Sequence, residues 1–370
     1  MKTTFHRLCR ASRAVAFLAG ASTASFAHLT GDGAHDAIDR RVAREFRPEQ
    51  VSLYLPPLLA QLGAASPSAD LPSAAAAFGR FAPVVRVRAD SDFLYVESNG
   101  LPAHNMMVGI TAWQQQVPLP QPYRGANAWR IPLRPVPAPD GGVTIRDRFL
   151  RGAIALAANG IPIFNPQNNR GAVSQEIGEL DQWGGHCGRA DDYHYHVAPL
   201  HLQAVLGKAL PVAYALDGYP IHGLTEADDS EPKGLDRWNG HDHAPIGYHY
   251  HATAKYPYLN GGFRGVVTER EEQVDPQPRA QGVREALQVL RGAKITGFKT
   301  ITPEKSYALQ YDVRGSAGAI DYEQVGEGVW KFRFTATDGT VREETYRAGD
   351  RRGGGGGKKG KDGKGKREEE

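Results

Sequence analysis

Two stretches of the chain decide its reading: LDQWGGHCGRADDYHYH (Leu180–His196) and LDRWNGHDHAPIGYHYH (Leu235–His251). Aligned without a gap at an offset of 55, they share Leu, Asp, Trp, Gly, His and the whole Tyr-His-Tyr-His. A second pair lies just upstream of each, with IALAANGIPIFN (Ile154–Asn165) matching VAYALDGYPIHG (Val212–Gly223) at an offset of 58. Both members of that pair run from a short apolar segment through an Asn-Gly or Asp-Gly turn into x-Pro-Ile, which is hairpin patterning. Two ordered matches are beyond chance. The sequence therefore predicts a mainly β fold with an internally duplicated hairpin, loop and strand unit forming a sandwich-like core, its halves at about 153–199 and 211–254.

The histidines follow the same duplication. Nine of the thirteen fall between His186 and His251, and six of those occupy repeated positions: His186, His194, His196, His241, His249 and His251. Residues two apart on a strand share one face about 6–7 Å apart, so His194 with His196, and His249 with His251, can converge on one ion while the tyrosines take the other face. On a helix the same pair would diverge by roughly 200°. His186 and His241 each stand eight residues before the first histidine of their pair and follow a glycine, where a loop can fold back to bring a third imidazole. Three imidazoles with an open position suit zinc or copper, also nickel or iron, and do not suit magnesium or calcium.

Asp181 and Asp236 recur in both halves and are candidates to receive the free N–H of a ligating imidazole, or to ligate directly. His243, His222, His104 and Cys187 occur without a repeat partner and carry less weight. A competing reading makes the Tyr/His strands a hydrogen-bonded network without metal, since buried Tyr and His both need partners. Three convergent imidazoles per half favour the metal. Trp183 and Trp238 are expected to anchor the core beneath each loop.

Around this centre the chain divides further. Residues 1–27 hold Lys2, Arg7, Arg10 and Arg13, then the apolar AVAFLAGA (Ala14–Ala21) and a small-residue end at Ser25-Phe26-Ala27, the three parts of an export signal. Residues 28–82 predict one helix over Asp36–Phe46 and an Ala/Ser/Pro-rich linker over Ala64–Ala77. The main β domain is expected over 83–270, opening on the alternating VVRVRAD and FLYVES. Seven prolines from Pro118 to Pro139 keep that piece extended and out of central strands.

A small C-terminal module, α+β or all-β, is expected over 283–348. Its reading comprises a helix at Val283–Leu290 and strands near Tyr307–Val313, Ile320–Val325, Val329–Thr337 and Val341–Tyr346. Residues 349–370 form a Gly/Lys-rich tail with nothing apolar to bury, expected to be disordered.

Composition narrows the function classes. The net charge is +3, yet residues 1–27 hold four basic side chains and no acid, and residues 351–370 hold eight basic and four acidic ones. The body between is net negative, so no nucleic-acid-binding domain is expected. Nothing after the leader reaches the ~18 apolar residues of a membrane span. Cys9 lies in the leader, which leaves Cys187 alone and without an internal disulfide partner. No G-x-S-x-G, H-E-x-x-H or P-loop is present, and G-x-G-x-x-G occurs only within the Gly/Lys-rich tail, at Gly355–Gly360, with no strand or helix pattern around it. The predicted function is that of an exported (periplasmic or extracellular) protein whose partner is a metal ion, zinc or copper, with an enzyme and a non-catalytic metal carrier both open.

The paired Tyr-His-Tyr-His at Tyr193–His196 and Tyr248–His251, with GGH at Gly184–His186, ALDGYPIHG at Ala215–Gly223 and NGH at Asn239–His241, resemble the bacterial YHYH-domain family over roughly residues 150–266. The resemblance implies an exported domain and carries over no catalytic residues. Members often have cysteines near these motifs, whereas this chain has Trp183, Trp238 and Gly262 there, so no disulfide is carried over either.

Overall fold

The computed structural model describes residues 72–285 and 287–348, all within the unit Arg47–Glu370. The expected leader with Cys9, the helix Asp36–Phe46, residues 64–71 of the linker and the tail from residue 349 lie outside the described residues. The end of the expected linker is not extended: it forms a short helix, α1 (Ala75–Gly79), that buries Ala75, Ala77 and Phe78. Three alanines favour a helical turn, and Phe78 fixes it by stacking on Tyr214 at 5.5 Å between ring centroids.

The alternating segments become β1 (Arg86–Ala89) and β2 (Phe93–Glu97), joined by β3 (Trp129–Pro132) in an antiparallel sheet of order β1-β2-β3. The proline-rich piece thus contributes only an edge strand, with Pro132 at its end, where a missing N–H costs no ladder bond. A short strand β4 (Val143–Thr144) follows.

The repeats build the main sheet. Its strands are β5 (Ala153–Ala157), β6 (Pro162–Phe164), β7 (Gly185–Cys187), β8 (Tyr193–Tyr195), β9 (Ala213–Ala215), β10 (Pro220–His222), β11 (Gly240–His243) and β12 (Gly247–His251). The order across the sheet is β11-β12-β10-β9-β5-β6-β8-β7. The apolar hairpins lie at the middle, where β5 and β9 pair antiparallel through Ala155 opposite Ala215. Every residue of β5 and β9 is buried, which explains why these strands read as unbroken apolar runs. Strands β6 and β8 pair in parallel, as do β10 and β12. The two Tyr-His-Tyr-His strands consequently stand near opposite edges of one sheet, with β10, β9, β5 and β6 between them. At the usual strand spacing that separates them by roughly 24 Å.

Two small ribbons follow: β13 (Gly262–Phe263) pairs with β4, and β14 (Glu269–Arg270) with β15 (Gln273–Val274). A separate five-stranded meander closes the described chain: β16 (Ala293–Thr302), β17 (Ser306–Val313), β18 (Ser316–Gly326), β19 (Val329–Thr335) and β20 (Val341–Arg347). Among the described residues of Val283–Leu290, the predicted helix does not form. There the Arg284 side chain enters a buried ion pair with Asp191, and the Leu290 amide donates to the Trp113 carbonyl at 3.1 Å, so tertiary partners hold the backbone out of a helix. Tyr322 Oη, donating to the Pro118 carbonyl at 2.8 Å, and Trp113, at 5.2 Å from Tyr311, tie this sheet to the segment before the repeats. Among the described residues no helix is long and apolar enough to cross a membrane.

Candidate metal centres

The third imidazole of each set comes from a paired strand, not from a loop folding back. Strands β7 and β8 form an antiparallel hairpin in which His186 stands opposite His194; β11 and β12 place His241 opposite His249 in the same way. Cross-strand partners lie about 4.5–5.5 Å apart at Cβ, and the histidine two residues on shares their face. One hairpin therefore gathers three rings. His186, His194 and His196 form one group whose ligand atoms lie within 4.8 Å of one another; His241, His249 and His251 form a second, joined by Glu226.

In the first group, the Nε2 atoms of His186 and His196 are 3.0 Å apart and those of His194 and His196 3.2 Å apart. In the second, His241 and His249 face each other at 3.2 Å, and His249 and His251 at 3.1 Å. Glu226 Oε1 lies 3.2 Å from His241 Nε2 and 3.4 Å from His251 Nε2. Two nitrogens on one tetrahedral zinc, at about 2.0–2.1 Å from it, stand about 3.3 Å apart, so these facing pairs match such a site to a few tenths of an ångström.

The other ring nitrogen fixes the tautomers. His241 Nδ1 donates to the Lys233 carbonyl at 2.8 Å, His249 Nδ1 to Gly247 at 2.9 Å and His251 Nδ1 to Gly223 at 2.9 Å. In the first group His194 Nδ1 donates to the Asp192 carbonyl at 3.0 Å, and His196 Nδ1 to that of Asn165. A carbonyl oxygen only accepts, so each of these Nδ1 atoms holds the ring's hydrogen and a neutral ring leaves Nε2 bare. Burial opposes a second proton: it pushes His196 down to about 3, helped by His194, and holds His186 well below the usual histidine range, helped by both neighbours. His249 and His251 are lowered by burial as well.

Asp181 and Asp236, expected beside the imidazoles, serve the loop and the tyrosines. Asp181 Oδ1 accepts from the Trp183 and Gly185 amides at 2.9 and 3.2 Å, and Oδ2 from the Met107 amide and Tyr193 Oη, both at 2.8 Å. Asp236 repeats this with the amides of Trp238 and Gly240 at 2.7 and 3.1 Å and Tyr248 Oη at 2.8 Å. Backbone carbonyls thus take the place expected of these carboxylates around the rings. Burial raises Asp181 to about 6 against the pull of its four hydrogen bonds.

The repeated glycine has a steric cause. A Cβ on Gly185 would stand 2.4 Å from Tyr193 Oη, and one on Gly240 2.2 Å from Tyr248 Oη, so only glycine lets the tyrosine reach its aspartate. The remaining tyrosines find different partners: Tyr250 donates to Asp217 at 2.6 Å, whereas Tyr195 lies 2.9 Å from His104 Nε2 and receives the Asn159 amide at 3.1 Å. Trp183 and Trp238 are buried, the first stacked on His104 at 4.6 Å.

Glu226 is the residue that sequence reasoning missed. At the hairpin offset of 58 its counterpart is Asn168, and it stands in an acidic stretch with Asp228, Asp229 and Glu231. The usable signal was the departure from the repeat itself. His243 Nδ1 lies 3.4 Å from Glu226 Oε2 and helps aim the carboxylate, and His222 packs 4.9 Å from His249 where the first half has Phe164 stacked on His194 at 3.8 Å. Cys187 is buried and free, its thiol pushed up by burial, and its neighbours in β7 and β8 leave it outside both ligand groups.

Compared with known families, residues 128–233 match the model of the family described as YHYH protein. The match contains the first histidine group and ends before the second. No curated protein and no solved structure matches the chain.

Proposed function

The chain carries a YHYH domain, and from that premise we propose that it is an exported protein that holds two transition-metal ions. One is held by His186, His194 and His196, the other by His241, His249, His251 and Glu226. Zinc or copper suits imidazole donors in this number and geometry. Such an ion, when bound, supplies Lewis acidity and, for copper, redox capacity.

A single observation carries the reading. Around Glu226 Oε1, three rings whose Nδ1 hydrogens are committed to backbone carbonyls bring bare Nε2 atoms to 3.1–3.2 Å of one another in two facing pairs, and two of them, on His241 and His251, to 3.2–3.4 Å of the carboxylate oxygen. Lone pairs and a carboxylate at that distance repel unless a positive charge stands among them. A hydrogen-bonded network without metal would need a hydrogen on one Nε2 of each facing pair, and burial opposes charging His249 and His251 to provide it.

The separation of the Tyr-His-Tyr-His strands by four others supports two sites over one shared site. Export is supported by the basic start, apolar middle and small-residue end of residues 1–27. A fusion of that segment to a reporter is expected to deliver it outside the cytoplasm; retention inside contradicts export.

Thermal unfolding before and after chelation tests the metal reading. An ion at 100 times its dissociation constant stabilises the folded state by about 2.7 kcal/mol. The melting temperature is expected to fall with EDTA and recover with zinc or copper, and a melt indifferent to both contradicts the proposal.

A further inference from the structure

Resting on the metal reading above, we propose that the two centres are unequal: the His186–His194–His196 centre keeps one coordination position for a small exogenous anion, whereas Glu226 fills that position at the other. The class of ligand is a monoanion binding through one oxygen or nitrogen, of the carboxylate, hydroxide or azide kind.

The second centre offers four candidate protein ligands. Its three Nε2 atoms and Glu226 Oε1 all lie within 4.8 Å of one another, and the carboxylate is buried. The turn that carries Glu226 is fixed by its own amide donating to the Ser230 carbonyl at 2.9 Å. Four protein ligands are the signature of a closed site, three that of an open one.

At the first centre the position matching Glu226 is Asn168, and its side chain is spent inside its own loop. Asn168 Oδ1 accepts from the Arg170 and Ala172 amides at 2.9 and 3.2 Å, and Nδ2 donates to Glu179 Oε2 at 3.1 Å. Glu179 is occupied in turn by Arg170 at 2.6 Å and by Ser174 Oγ at 3.0 Å. Asp192 approaches His194 only from the Nδ1 side, at 3.6 Å, away from the converging Nε2 atoms. Among the described residues no carboxylate or thiol joins this group.

Charge then selects the ligand. Three neutral imidazoles leave the full charge of a divalent ion uncompensated, while Glu226 cancels one unit of it at the second centre. His186 is only partly buried, unlike His194 and His196, and so marks the side from which a small anion enters.

The test is azide titration of the cobalt(II)-loaded full chain, followed by the visible absorption of the metal. The natural chain is expected to bind one azide per two cobalt ions, and E226A is expected to bind two. The paired variants assign the response: H249A/H251A keeps it and H194A/H196A loses it. Cobalt bound at both centres with no azide response in the natural chain, or with equal response at both, overturns the inequality and leaves the metal reading standing. A chain that takes up no cobalt overturns the metal reading itself.

Discussion

His186 stands directly opposite His194 across the β7–β8 ladder, and His241 opposite His249 across β11–β12. That register gathers three imidazoles on one hairpin. Because side chains alternate faces, a slip of one residue in either ladder would turn one imidazole away and bring a tyrosine into its place. The Gly-His step and the Tyr-His-Tyr-His strand are thus two sides of one device, and the Asp-to-Tyr hydrogen bond beneath each hairpin is what pins it.

That hydrogen bond is worth more in the first half. Asp181 is buried with its four donors, whereas Asp236 is exposed. Tyr193→Phe leaves a buried carboxylate short of a partner and is expected to cost about 1–3 kcal/mol. Tyr248→Phe is expected to cost less than about 1 kcal/mol, since water can replace the hydroxyl. Denaturant midpoints of the two variants check the order, and equal losses would contradict it.

His104 provides a pH prediction remote from the ligands. It faces Tyr195 Oη, the ring of His201, Trp183 and Tyr193, and burial pushes it down to about 3. The unfolded chain takes up this proton near the ordinary value of about 6.5 and the folded chain does not. The stability His104 contributes is therefore complete above pH 6.5 and is lost progressively as pH falls toward 3. Its imidazole proton resonance is expected to stay fixed from pH 8 to pH 5; a midpoint near 6.5 would contradict the burial.

Arg284 holds the segment before the C-terminal sheet. Its Nε and Nη2 donate to Asp191 at 2.9 and 2.8 Å, and Nη2 also donates to the Gln115 carbonyl at 2.6 Å, with both side chains buried. Removing one member of such a pair strands the other charge, so Arg284→Met is expected to cost about 3–5 kcal/mol. Chemical denaturation measures this, and a loss below about 1 kcal/mol would show that the pair does not hold the segment.

Much of this was legible in the chain itself. The Asn159-Gly160 and Asp217-Gly218 turns announced the central hairpins, and the structure gives Gly160 and Gly218 φ of +77° and +98°, where glycine is at ease. The histidine spacing announced the paired rings of each Tyr-His-Tyr-His strand, but the third ring of each group comes from a paired strand where a loop was expected. Glu226 did not show, because its role depends on a turn that brings a non-repeated residue against a repeated site. The helix expected at Val283–Leu290 failed because Arg284 and Leu290 find partners far along the chain, which local periodicity does not register. Strand β16 was hidden by Gly297, which sits at a bulge in its pairing with β17.

Elemental analysis of the untagged full chain tests the central claim most directly. The account predicts two zinc or copper ions per chain after reconstitution, falling to one in H194A/H196A and to one in H249A/H251A. A chain that remains metal-free after exposure to both metals, or that keeps its full metal content in either variant, would contradict it.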